Sequence, residues 1–247
     1  MTNKIFSDRL SLIEGAAAYI ADAAGASIRA GGRFTIALSG GNTPKPIYAR
    51  LAQPPYVERI DWKRTHVFFG DERCVSPDDA RSNYHMAKME LLDHVPIPAG
   101  NVHRIHGELD PEKAAADYTA ELEARFGKSG SGTPASGFDL ILLGMGDNGH
   151  TASLFPGLPA VLEKSRWVMA QYVEVVQMWR LTLTPVVINA AARVGFVVSG
   201  ADKAEMLHRV LEGPYEPIVL PSQIVKPANG ELVWLLDVPA AAKLQKR

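Results

Sequence analysis

Three short apolar segments of this 247-residue chain each run directly into a loop rich in glycine or charge, and this pattern constrains the fold most. The strand and loop pairs are 34–38 with 39–44, 65–69 with 70–73, and 138–143 with 144–150. Helices are predicted near 7–29, 82–92 and 112–126, between the strands, and further strands near 167–172, 180–183, 193–198 and 232–236. Alternating strands and helices are typical of an α/β fold, whose mainly parallel sheet is covered on both faces. Such sheets bind ligands at the carboxyl edge of their strands.

Composition limits the function classes that remain. Hydrophobic residues make up 47% of the chain and charged residues 21%, which is typical of a globular protein. Its length predicts a single domain, 1–247, with two domains as the alternative. The net charge of −1 provides no field for nucleic acid or an anionic membrane. Cys74 is the only cysteine, so no internal disulfide can form. Without a signal peptide or a long apolar run, we expect a cytoplasmic protein. We also expect a monomer or weak homodimer and a small-molecule partner.

The loop after the first strand has the composition of a phosphate cradle. Gly40 and Gly41 allow a tight turn, while Ser39, Asn42 and Thr43 add side-chain donors. Pro44 starts a helix, whose N-terminus carries partial positive charge. No Lys-Ser/Thr pair follows, so this is not the nucleotide P-loop. An ordinary strand-to-helix turn is the alternative.

Two other positions suit an anionic ligand. Asp71 and Arg73 follow the second strand, where an aspartate can orient a catalytic group and an arginine can bind an anion with two hydrogen bonds. Lys203 lies in the first turn of a predicted helix, an unfavourable place for a cation unless an anion is bound there. A solvated turn and a solvent-facing lysine are the respective alternatives.

The third loop holds the most informative histidine. Gly144, Gly146 and Gly149 match the dinucleotide pattern G-x-G-x-x-G, but Pro156 and Gly157 leave too little room for the helix that this pattern requires. His150 instead suits a general base, with the backbone N–H groups of Gly146, Asn148 and Gly149 as candidate oxyanion donors. A structural histidine is the alternative. The other histidines lack zinc-ligand spacing, so no metal site is predicted.

Taken together, these segments resemble the glucosamine-6-phosphate isomerase/6-phosphogluconolactonase family, and the resemblance covers essentially the whole chain. The matching segments are LSGGNTP (38–44), FGDER (69–73), SNY (82–84), GMGDNGHTASLFP (144–156), RLTLT (180–184) and GADK (200–203). The resemblance implies a Rossmann-like α/β/α sandwich and hydrolysis of a phosphorylated sugar lactone, 6-phospho-D-glucono-1,5-lactone, without metal or cofactor. It implies that His150 is the general base and that Asp71 and Arg73 belong to the active site. Phosphate would bind Lys203 and the Ser39–Thr43 loop, with Arg180 as a further candidate.

One residue departs from the family pattern, and two other functions remain to be tested. The family usually has aspartate at the position of Asn148, whereas this chain has its acid one residue earlier, at Asp147. An amino-sugar-phosphate isomerase/deaminase is the first alternative, although the segment after His150 lacks the glutamate of those relatives. A non-catalytic sugar-phosphate sensor is the second, although the chain shows no DNA-binding module or basic stripe.

Overall fold

The computed structural model describes residues 1–245 and contains two sheets. The strands are β1 (Thr2–Phe6), β2 (Phe34–Leu38), β3 (Thr65–Phe69), β4 (Asp71–Arg73), β5 (Leu140–Leu143), β6 (Val168–Val173), β7 (Met178–Leu183), β8 (Arg193–Val198) and β9 (Glu231–Asp237). The helices are α1 (Arg9–Gly31), α2 (Lys45–Leu51), α3 (Tyr56–Arg59), α4 (Asn83–Glu90), α5 (Pro111–Phe126), α6 (Pro185–Ile188) and α7 (Ala204–Glu212). The final two residues of the predicted 1–247 domain lie outside the described range.

The larger sheet has six strands in the order β1-β9-β8-β5-β2-β3, and every neighbouring pair is parallel. Its central strands β2 and β5 are buried along their whole length, as expected of a sheet covered on both faces. The predicted α/β class is therefore confirmed. Strand β1 was not predicted, because its five residues are mostly polar and partly exposed and pair only with β9 at the sheet edge.

Helix α1 is expected near 7–29 and spans Arg9–Gly31, and a cap at each end accounts for its bounds. The Asp8 carboxylate accepts a hydrogen bond from the Ser11 N–H at 2.8 Å, which satisfies one of the free donors at the helix N-terminus. Gly32 closes the other end with a φ of 75°, a left-handed conformation that favours glycine. These caps fix the start of α1 directly after β1, beside the carboxyl ends of the strands.

A second, antiparallel sheet corrects part of the prediction. It has the order β4-β7-β6, so the strands expected near 167–172 and 180–183 do not belong to the parallel sheet. The segment expected as a loop at 70–73 contains β4, which pairs Asp71 with Thr182 and Arg73 with Arg180. The Leu183 N–H donates to the Gly70 carbonyl at 2.9 Å, which joins this sheet to the end of β3.

Successive side chains of β4 point to opposite faces of the sheet, so its two acids, Asp71 and Glu72, have different surroundings. Glu72 is 2% exposed, and its carboxylate accepts hydrogen bonds from the Ser82 hydroxyl and from the N–H groups of Asn83 and Tyr84. Burial raises the pKa of Glu72, while these donors oppose the rise. Glu72 thus stabilises the N-terminus of α4, and Asp71 and Arg73 face the other way.

Candidate active site

A cleft of about 860 Å³ lies at the carboxyl edge of the parallel sheet. Residues that follow all six parallel strands line it, from Asp8 and Arg9 after β1 to Asp237 at the end of β9. The chain reverses its direction of winding between β2 and β5, and the loops after these two strands flank the cleft. Open α/β sheets place ligands at such a reversal point, because the two loops diverge there.

The Ser39–Thr43 loop forms one wall of the cleft, as the sequence predicts. The buried Tyr48 hydroxyl accepts from the Ser39 N–H at 3.0 Å and donates to the Ser39 carbonyl at 2.8 Å, which fixes the start of the loop. Gly41 has a φ of 100°, so this turn favours glycine. Within residues 1–245, the N–H groups of Gly41, Asn42 and Thr43 donate to no protein acceptor. The loop therefore offers several backbone donors to an anion.

Asp71 lies at the base of the cleft and is held by two buried partners. Its Oδ1 accepts from the Asn83 amide at 2.9 Å, and its Oδ2 accepts from the Ser153 hydroxyl at 2.7 Å. Sequence reasoning assigned no role to Ser153 or Asn83. Since 82 residues separate Ser153 from Asp71, no local spacing could have revealed this contact.

Arg73 and Arg180 face each other across the β4–β7 pair, and both line the cleft. Arg73 donates from Nη1 to the Arg81 carbonyl. The Nε–H groups of both arginines are buried and have no hydrogen-bond partner in the part of the chain that the structure describes. Burial, and then the charge of Arg73, lowers the pKa of Arg180. Both arginines line the cleft, and a guanidinium group is suited to bind an anion with two hydrogen bonds.

His150 is oriented by its neighbours on the same loop. Its backbone N–H donates to the Asn148 Oδ1 at 3.2 Å, and its ring Nδ1 lies 2.6 Å from the same oxygen. Because an amide oxygen can only accept, Nδ1 must carry the proton, and Nε2 keeps its lone pair. The Phe155 ring stacks on the imidazole at a centroid distance of 4.1 Å and holds its plane.

The surroundings keep the imidazole neutral. Burial lowers the pKa of His150 to about 4; the nearby Asp71 opposes this shift, and Arg180 and Lys203 add to it. At neutral pH the ring is therefore unprotonated at Nε2, which is the state that a general base requires. Asn148 thus orients the ring without adding the charge that an aspartate would bring.

Two of the three expected oxyanion donors of this loop are already engaged, which corrects the prediction for Gly146 and Gly149. The Gly146 N–H donates to the His150 carbonyl at 2.9 Å, and the Gly149 N–H donates to the Gly146 carbonyl at 3.0 Å. Gly149 and Asn148 also lie outside the residues that line the cleft. The tight turn that presents His150 uses these donors itself, so the loop contributes the histidine rather than an oxyanion hole.

Lys203 lines the cleft from a 3₁₀ turn, Ala201–Lys203, that precedes α7. The buried Asp237 carboxylate accepts from the Gly200 N–H at 3.1 Å and from the Ser199 hydroxyl, which positions this turn. The Lys203 ammonium contacts the Asp147 carboxylate on the His150 loop. Each predicted cation, Arg73, Arg180 and Lys203, therefore reaches the same cleft as His150 and Asp71.

Three further observations limit the chemistry. Turns and a short bridge, rather than a helix, follow Gly149, which agrees with the rejection of a dinucleotide site. Among residues 1–245, no group of three or more His, Cys, Asp and Glu side chains could hold a metal ion. Within the same range, no helix combines the length and the apolar character needed to cross a membrane.

The parallel sheet and its loops define an α/β protein with a cleft at the sheet edge that a histidine and several cationic side chains line. The chain belongs to the family of glucosamine-6-phosphate isomerases/6-phosphogluconolactonase, whose model matches residues 7–234. It is 41% identical to a 6-phosphogluconolactonase of Nostoc sp. over 98% of both chains, and 44% identical to one of Synechocystis sp. over 87% of this chain and 86% of the relative. The structure of 6-phosphogluconolactonase from Trypanosoma brucei matches with a TM-score of 0.86 and 28% identity, covering 98% of each chain.

Proposed function

We propose that the protein is a 6-phosphogluconolactonase, which hydrolyses 6-phospho-D-glucono-1,5-lactone to 6-phosphogluconate in the oxidative pentose phosphate pathway. Relatives with this name are about 40% identical over almost the whole chain. The observation that carries the chemical proposal is the neutral His150, whose free Nε2 shares a cleft with a donor-rich loop and three cations.

In the proposed reaction, His150 activates water. Nε2 takes a proton as the water oxygen attacks C1 of the lactone, and Asp71 stabilises the imidazolium that forms. The negative charge on the carbonyl oxygen is met by the Arg73 guanidinium, which lines the cleft, since the N–H groups of Gly146 and Gly149 are already used. The bond from C1 to the ring oxygen then breaks, and the ring oxygen receives the proton back from His150.

The phosphate of the substrate would anchor the sugar at a distance from C1. The free N–H groups of the Ser39–Thr43 loop, the Lys203 ammonium and the Arg180 guanidinium are the proposed ligands. Binding energy from this remote group positions C1 near His150, which is an efficient use of contacts that do not take part in the reaction.

Replacing Asn148 with aspartate should change the pH dependence of catalysis. In the unmodified enzyme, kcat/KM should fall only as the pH drops through about 4, because His150 is neutral above that value. A carboxylate in place of the amide, 2.6 Å from Nδ1, favours the imidazolium. The pH at which kcat/KM falls, the acid limb of the profile, should therefore rise by about 1–2 pH units. Asn148→Ala, which adds no charge, serves as the control and should not raise it. Coincident acid limbs for Asn148→Asp and the unmodified enzyme would show that a different group titrates.

The proposed function is tested by a lactonase assay at controlled pH on freshly generated substrate, with spontaneous ring opening subtracted. We expect rapid, enzyme-dependent formation of 6-phosphogluconate, and no ammonia from glucosamine 6-phosphate. Tight binding of 6-phosphogluconate without turnover of the lactone would instead support a sensor. A cytoplasmic location, one domain over 1–247, a monomeric or weakly dimeric state, and the absence of nucleic-acid and membrane partners stay predictions from the sequence.

A further inference from the structure

The contact between Lys203 and Asp147 joins two parts of the cleft that have different tasks. The Lys203 side chain is 19% exposed and forms part of the cleft wall, whereas the Asp147 side chain is 84% exposed and lies outside that wall. Asp147 belongs to the loop that presents His150, three residues further on. A second carboxylate, that of Asp202, lies 3.8 Å from the same ammonium.

This contact accounts for a cation in an unfavourable position. Lys203 directly precedes α7, where the helix dipole disfavours positive charge. Asp147 supplies a compensating negative charge, and the ammonium in turn lowers the pKa of Asp147. A phosphate that approaches Lys203 from the cleft therefore meets an ammonium whose charge a carboxylate already partly compensates.

We propose that Asp147 is a specificity-determining residue, which occupies Lys203 until a phosphorylated ligand displaces it. The inference rests on the proposed role of Lys203 in phosphate binding. Because Asp147 is highly exposed, its carboxylate returns to water at little cost when it is displaced. A phosphate dianion that also binds the free N–H groups of the Ser39–Thr43 loop can displace it, whereas a ligand that offers only one weak contact to Lys203 cannot.

The test is the variant Asp147→Asn, with inorganic phosphate as the binding probe in isothermal titration calorimetry. Removing the competing charge should tighten phosphate binding about two- to five-fold, the range expected for an exposed ion pair. The KM for 6-phosphogluconolactone should fall by a similar factor, and by more than any change in kcat. The kcat/KM for unphosphorylated glucono-1,5-lactone should change by a smaller factor, because that substrate has no group for Lys203.

Two further variants separate a specific contact from a general effect of charge. Asp202→Asn removes the same charge near Lys203 without a hydrogen-bonded contact, and it should tighten phosphate binding less than Asp147→Asn does. In a Lys203→Ala background, Asp147→Asn should not increase the affinity for phosphate, since the ammonium for which the two anions compete is absent.

Each other outcome overturns the proposal. Weaker phosphate binding by Asp147→Asn would mean that Asp147 positions Lys203 and does not compete for it. If Asp147→Asn and Asp202→Asn changed the affinity for phosphate equally, the change would reflect overall charge and not a specific contact. If the protein did not bind phosphate, Lys203 would have no role in phosphate binding. Phosphate titration requires no turnover, so it gives its answer even if the protein does not hydrolyse the lactone.

Discussion

Replacing His150 with alanine is expected to lower kcat for hydrolysis of the phosphorylated lactone by about 10²–10⁴-fold, the usual contribution of a general base. The expectation follows from the ring geometry. Asn148 fixes the proton on Nδ1, Phe155 fixes the plane, and Nε2 is left free to accept a proton from water. No other histidine lines the cleft among the described residues, so a replacement base is not at hand. KM should change little, because the proposed phosphate ligands lie elsewhere.

The measurement is a steady-state assay with the spontaneous reaction subtracted, together with thermal unfolding to show that the variant is folded. His106→Ala is a matched control, since that imidazole is 48% exposed and lies outside the cleft, and it should retain the full rate. If His150→Ala also retained the full rate, His150 could not be the base, and the mechanism would have to be rebuilt around another residue.

The second large loss of activity is expected from Gly146→Ala, although Gly146 has no side chain that could take part in the reaction. A Cβ at position 146 would lie 2.0 Å from His150 Cε1 and 2.1 Å from Nδ1, far inside van der Waals contact. The imidazole would have to move, and a displacement of about 1 Å at a reacting group can reduce the rate about 10²-fold. The φ of Gly146 is not in the left-handed region, so backbone strain should not contribute.

Gly144→Ala provides the matched comparison for Gly146→Ala. It makes the same change two residues away on the same loop, where an added Cβ meets nothing within 4 Å. We expect Gly144→Ala to keep most of the activity, and Gly146→Ala to lose activity while its midpoint of thermal unfolding shifts only modestly. Similar rates for the two variants would show that the observed packing of His150 against Gly146 is not needed for catalysis.

The elements that the sequence predicts well are those with a local signal. The apolar runs of β2, β3 and β5 are visible in the sequence without knowledge of the fold, and so is the glycine pair, Gly31 and Gly32, at which α1 ends. Strand β4 was missed because three charged or polar residues carry no apolar pattern. Its structure depends on pairing with β7, about a hundred residues later in the chain, which no local rule describes.

The candidate site divides in the same way. The sheet-edge rule predicts that the loops containing Ser39, Asp71 and His150 meet, because they follow parallel strands of one sheet. The supports of these residues, such as Tyr48 under Ser39 and Ser153 beside Asp71, come from side-chain contacts that only the folded chain defines. Gly146 and Gly149 were misassigned as oxyanion donors for a related reason, since their N–H groups donate to carbonyls of the same turn.

The facing arginines of the small sheet have a thermodynamic consequence for the free protein. Like charges directly opposite each other on an antiparallel pair repel, and Arg73 and Arg180 occupy such positions with their Nε–H groups unsatisfied. An anion bound between the two guanidinium groups would offset this repulsion, so we expect the ligand-bound protein to be more stable than the ligand-free one. If both arginines bind the substrate as proposed, selection for thermal stability without ligand would favour loss of one of them, and selection for turnover would retain both.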